Sequence, residues 1–158
     1  MRLHRLICVL LTALGVAPVL ADSSRNNPTM DWLPPAVDWQ DAQTLILTLD
    51  DYWYQPNDIE LTGDQPYRVV LNNVSDVSTH DLVDLAFFHA VVLYKVNVDG
   101  IELVTPHIHN ISLRPNSKAT LYLVPKVAGE YEVFCSVPGH REEGMDGLVT
   151  IIEPGSPR

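Results

Sequence analysis

Apolar and polar residues alternate along much of the chain. The alternation has the two-residue period of half-buried β-strands, not the 3.6-residue period of a helix. Residues 44–49 put Leu45, Leu47 and Leu49 on one face. Similar runs recur at 59–61, 67–72, 111–113, 119–123, 131–135 and 148–152. The apolar stretch 86–96, rich in aromatic and β-branched residues, reads as another strand. Pro56-Asn57-Asp58, Thr62-Gly63-Asp64-Gln65-Pro66 and Arg114-Pro115-Asn116-Ser117 supply turns between the runs. There is no convincing amphipathic helix and no internal repeat. Short strands at this spacing predict an all-β domain, a Greek-key β-sandwich or small barrel.

The ends of the chain differ from this pattern. Arg2 and Arg5 precede an apolar run over 6–20, interrupted by Thr12, Gly15 and Pro18, and Val19-Leu20-Ala21 offers a small-residue cleavage site. Residues 1–21 therefore read as a signal peptide, too short and too interrupted for a comfortable membrane span. Residues 22–41 form a polar, Pro-containing arm whose Trp32 and Trp39 are expected to pack on the domain. The domain occupies 42–154, and 155–158 is a tail. Cleavage makes the protein periplasmic or otherwise exported, with no membrane span in the mature form. It also removes Cys8 and leaves Cys135 alone. In an oxidising compartment a lone thiol is a liability unless it is buried, paired with another chain or bound to metal.

Charge narrows the partners. The 158-residue chain carries a net charge of −10, and losing the two arginines of the signal takes the mature form to −12. Nucleic acid is excluded as a natural partner. A basic protein surface, such as that of a c-type cytochrome, suits electrostatic steering, while the plain alternative is that acidity keeps an exported protein soluble.

The chemistry gathers near the C-terminus, in Cys135-Ser136-Val137-Pro138-Gly139-His140-Arg141-Glu142-Glu143-Gly144-Met145. Cysteine, histidine and methionine stand five residues apart, twice. Thiolate, imidazole and thioether form a soft donor set that suits copper. Pro138-Gly139 supplies the turn that returns His140 towards Cys135. Singly, Cys135 reads equally as a buried core cysteine, His140 as a loop histidine and Met145 as a core filler; the joint spacing carries the metal reading. A trigonal site needs a second imidazole, and His80, just after the 67–72 strand, is the best placed. Its competitors are His89, within the apolar run, and His107 and His109, which on a strand would share a face and hold a second ion or simply face solvent. Glu142-Glu143 read as solvated charges, and Asp50-Asp51 as a turn leading to a packed aromatic cluster, Tyr52-Trp53-Tyr54.

With these residues in place, the chain from about 42 to 153 resembles the cupredoxins, the small blue copper proteins. The resemblance rests on Gly129-x-Tyr131 leading into Cys135, on Cys-x₂-Pro-Gly-His, on Met145 and on the upstream His80. It implies one type 1 copper ion held strongly by His80, Cys135 and His140 and weakly by Met145. The cysteine-to-histidine spacing is longer than in plastocyanin-like members and similar to that of rusticyanin- and auracyanin-like ones. Many members carry Asn after the first histidine, bracing the cysteine loop; this chain has Asp81. The resemblance implies a one-electron carrier, with His140 reaching the surface through a patch that includes Val137, Pro138 and Met145. The alternative is copper storage, delivery or tolerance, with a copper acceptor as partner. An oxidase or nitrite reductase needs a second copper centre and usually another domain. No Ser/His/Asp nucleophile motif, phosphate loop or HExxH motif is present.

Overall fold

A computed structural model describes residues 35–155. The proposed signal peptide, Trp32 and the last three residues lie outside the described residues. In chain order the elements are β1 (Gln43–Asp50), β2 (Trp53–Gln55), β3 (Asp58–Thr62), β4 (Tyr67–Asn73), β5 (His80–Val83), α1 (Leu85–Ala90), β6 (Val91–Val98), β7 (Ile101–Leu103), β8 (Asn110–Leu113), β9 (Lys118–Pro125), β10 (Gly129–Phe134) and β11 (Asp146–Ile152). They build two sheets, one ordered β2-β1-β4-β9-β6-β7 and the other β3-β11-β10-β5-β8. β1 runs parallel to β4, and β3 parallel to β11; the pairings of β10 with β11 and of β5 with β8 are antiparallel.

The alternation read from the sequence is what closes the sandwich. Leu47, Leu49, Leu71, Leu121 and Leu123 from the first sheet pack against Leu61, Leu113, Val133, Val149 and Ile151 from the second, all essentially without solvent contact. Each such side chain contributes roughly 1.5–3 kcal/mol by leaving water. The alternation in 131–135 works as expected: Val133 and Cys135 point into this core, and Tyr131 packs at its margin.

Two local readings are corrected. The stretch 86–96 is not a single strand. Its first half is α1 and its second half β6. Asp84 starts the helix, its carboxylate accepting the Ala86 N–H at 2.8 Å, and Phe87, Phe88 and Ala90 bury one face. A capped helix of six residues is too short to show helical periodicity in sequence. His89 is therefore an exposed helix residue, not a strand residue, and His107 and His109 lie in the loop before β8 rather than on a strand. The aromatic cluster is also divided. Tyr54 is buried, whereas Tyr52 and Trp53 are substantially exposed.

The described end of the N-terminal arm packs as expected. Trp39 meets Tyr94 and Tyr122 edge to face, with ring centroids 5.1 and 5.2 Å away. Among the described residues no helix is long and apolar enough to cross a membrane.

Candidate metal centre

His80, Cys135 and His140 meet at one end of the sandwich, their potential ligand atoms all within 4.8 Å of one another. Each arrives by a different route. His80 opens β5 opposite Leu113 of β8 and is fully buried. The loop before it is held by Asn73, whose buried amide donates to the carbonyls of Ser78, Leu113 and Arg114 at 2.9, 3.1 and 2.9 Å. Ser75 Oγ accepts the Ser78 N–H at 2.9 Å in the same loop. Cys135 directly follows β10, and its N–H donates to the Met145 carbonyl at 3.0 Å.

That bond extends the β10–β11 ladder by one rung and closes the loop carrying His140. Inside the loop His140 N–H donates to Val137 O at 3.0 Å, and Met145 N–H to His140 O at 2.9 Å. Gly139 adopts φ +87°, a left-handed turn that glycine takes without steric cost, immediately before the ligand histidine. The five-residue intervals thus mark a closed, hydrogen-bonded loop. Met145 is fully buried within the core cluster that also holds Cys135.

The distances fit a metal better than they fit contacts between side chains. Cys135 Sγ stands 4.0 Å from His80 Nδ1 and 3.8 Å from His140 Nδ1. With bonds of about 2.3 Å to sulfur and about 2.0 Å to nitrogen, a trigonal ion would hold sulfur and nitrogen roughly 3.7 Å apart. The two imidazole centroids are 5.0 Å apart. Two imidazole nitrogens and a thiolate, with a thioether in the same closed loop, are the donors of a single type 1 copper centre. Burial, and secondarily the neighbouring His140, lowers the pKa of His80, which keeps it neutral and able to ligate; Asp51 opposes this shift. Burial pushes the Cys135 thiol up, backbone hydrogen bonds at Asp81 and Val137 oppose this, and the Asp81 charge adds a smaller upward push. Cys135, with His80 and His140, would hold a copper ion as the thiolate, the form that coordination favours outright.

Asp81 takes the bracing position that the sequence pointed to. It is buried, and its two oxygens accept from Ser136 N–H and Ser136 Oγ–H, each at 2.6 Å. Its own carbonyl accepts from the buried Tyr54 hydroxyl. The acidic residue therefore clamps the cysteine loop with short, charge-assisted bonds. Asp81→Asn keeps an acceptor for the backbone N–H but removes one negative charge. Removing a negative charge from beside the cysteine loop favours the less charged Cu(I) state, so the reduction potential of the copper-loaded variant is expected to rise by roughly tens of millivolts. Protein-film voltammetry measures it; an unchanged or lowered potential contradicts the electrostatic role.

The β1–β2 turn adds two residues that sequence reasoning did not place at the centre. Asp51 Oδ1 lies 3.2 Å from His80 Nε2, although the approach is off-axis and leaves Nε2 without a well-aligned hydrogen bond. A hydrogen bond from Ser78, followed by smaller contributions from His80 and Ser75, holds the Asp51 carboxyl below the ordinary carboxylate value. The next residue, Tyr52, has φ +69° and lays its half-exposed ring 5.1 Å from the His140 ring. A non-glycine residue in this region is strained by about 1–2 kcal/mol. One turn therefore covers both histidines. The only signal in sequence is that alternation stops at Leu49; nothing there says which loop the turn lies over. Glu142 and Glu143 are exposed, as expected for solvated charges.

Known structures place the fold. The sequence matches no family model and no curated protein. Auracyanin from Roseiflexus castenholzii is similar at 19% identity and TM-score 0.51, over 70% of this chain and 98% of that one. A copper-containing nitrite reductase from Thermus scotoductus (16% identity, TM-score 0.54) matches over 73% of this chain and 32% of its own. A multi-copper oxidase from Pediococcus acidilactici (16%, TM-score 0.60) matches over 80% and 29%. The chain thus has the cupredoxin fold, nearly the whole length of the auracyanin and about a third of the two enzymes.

Proposed function

We propose that this chain is an exported type 1 copper protein that carries single electrons, with His80, Cys135 and His140 as strong ligands and Met145 as the weak axial one. The convergence of one sulfur and two Nδ1 atoms at 3.8–4.0 Å carries the reading. When bound, the ion supplies the one-electron Cu(I)/Cu(II) couple. The chain supplies rigidity: three of these four side chains are buried, and backbone bonds close the loop that bears three of them. Small ligand displacement between oxidation states means a small reorganisation barrier. The half-buried His140 lies beneath Tyr52, with Val137 and Pro138 beside it, which makes this end of the molecule the exit for the electron. The acidic chain suits a basic redox partner.

The chain matches an auracyanin over almost that protein's full length and the two copper enzymes over about a third of theirs. Copper storage or delivery uses the same ligands and is the competing reading. Titrating the protein with Cu(II) separates them. One equivalent is expected to develop an intense visible thiolate-to-copper band and an electron spin resonance signal with narrow copper splitting, both lost and regained through rapid redox cycles. No such band sinks the carrier reading, and a colourless protein that holds only Cu(I) and hands it to an acceptor favours delivery.

A further inference from the structure

Outside the Cys135 centre, the fold collects the remaining histidines of the described chain. His89, in the last turn of α1, faces both His107 and His109 from the β7–β8 loop, with ring centroids 6.4 Å away in each case. All three are exposed. They share no residue with the first centre. Asn110, next to His109, pairs with Val83 of β5, and Val83 pairs on its other side with Phe134, next to Cys135. His109 therefore lies two strands over, about 10 Å across the sheet. It is also at the opposite end of β5 from His80.

We propose that His89, His107 and His109 form a second metal site, for a divalent transition ion that prefers imidazole nitrogen, the class of Cu²⁺, Ni²⁺ and Zn²⁺. The donor type is the first argument. Three imidazoles with no sulfur among them select this class, with Cu²⁺ the tightest, and discriminate against Cu(I), whose soft ligands among the described residues are Cys135 and Met145. Geometry is the second. The His80 and His140 rings, placed for one shared ion, have centroids 5.0 Å apart. His89 stands 6.4 Å from each of the other two, wider than that pair, so the three rings must close by side-chain rotation before their nitrogens can share an ion. They are free to do so, because none is locked in the core. The loop backbone between them is already shaped by Thr105 Oγ1, which donates to His107 O at 3.0 Å. The third argument is charge: a net charge of −10 favours a cation anywhere on this surface, while the three histidines decide where. The site is built by ion-induced closure of three side chains from two elements, and it does not depend on the electron-carrier reading.

Zn²⁺ is the probe. It is added to the full protein carrying Cu(I), so that both ions are silent in magnetic resonance and each imidazole reports separately. The ring signals of His89, His107 and His109 are expected to move together and saturate at one equivalent. His89→Ala, His107→Ala and His109→Ala should each weaken zinc about tenfold or more. The proposal is overturned if these three signals do not saturate, or if His89→Ala leaves zinc affinity at the other two unchanged. Failure of the first centre would show elsewhere, as zinc-dependent shifts of His80 and His140.

Discussion

Replacing Cys135 by alanine is expected to abolish the thiolate-to-copper band and to weaken Cu(I) binding by well over the roughly 100-fold typical of losing an outer partner of a metal ligand. The protein should nevertheless remain folded. The backbone at 135 is held by its bond to Met145 O, and the truncation removes one sulfur atom from the core cluster that also holds Val133 and Met145. Loss of so small a group costs about 1 kcal/mol, the low end of core truncations. The two effects distinguish a ligand from a core filler, the rival reading of a 1%-exposed cysteine. A filler would lose stability and leave copper binding untouched. Competition with a Cu(I) chelator, together with thermal melting of the metal-free variant, measures both. Undiminished copper affinity in Cys135→Ala removes the basis for the centre.

Much of this was legible because the physics is local. The strands at 44–49, 67–72, 119–123 and 148–152 announce themselves by alternation, since one face of each meets the other sheet. Cys135, His140 and Met145 sit in one closed loop, so their spacing in sequence is nearly their spacing in space. His80 needed more: its partner is 55 residues away, and only its place just after the 67–72 strand, supported by the family resemblance, set it apart from His89, His107 and His109. What stayed hidden depended on tertiary placement. A six-residue helix inside an apolar run has too few residues to display its period, so His89 read as a strand residue. With His89 misplaced, the pair His107 and His109 lacked the third imidazole that the fold brings beside them. Asp51 and Tyr52 looked like any polar turn, because nothing in β1 or β2 says that their hairpin folds over the histidines.

Asp51→Ala is expected to weaken copper binding by about 10- to 100-fold without unfolding the chain, the range typical of partners that orient a ligating histidine. His80 presents Nδ1 to the sulfur, so its proton resides on Nε2 when it ligates. That nitrogen is completely buried, and Asp51 Oδ1, at 3.2 Å, is the acceptor facing it. Removing the carboxylate takes away the acceptor nearest that buried N–H, off-axis though its approach is, and leaves no other group among the described residues to orient the ring. It also frees the ring to flip to the wrong tautomer. Asp51 is 42% exposed, so solvent screens its charge, and orientation rather than Coulomb attraction is the larger share of its effect. Asp51→Asn tests this division: with an acceptor oxygen kept and the charge removed, affinity should stay within about threefold of wild type while the potential rises modestly. Copper titration reads the affinity, and nitrogen-15 shifts of the metal-free His80 ring read the tautomer. Wild-type affinity in Asp51→Ala, with the proton still on Nε2, would show that the β1–β2 turn merely lies over the histidine and does not hold it.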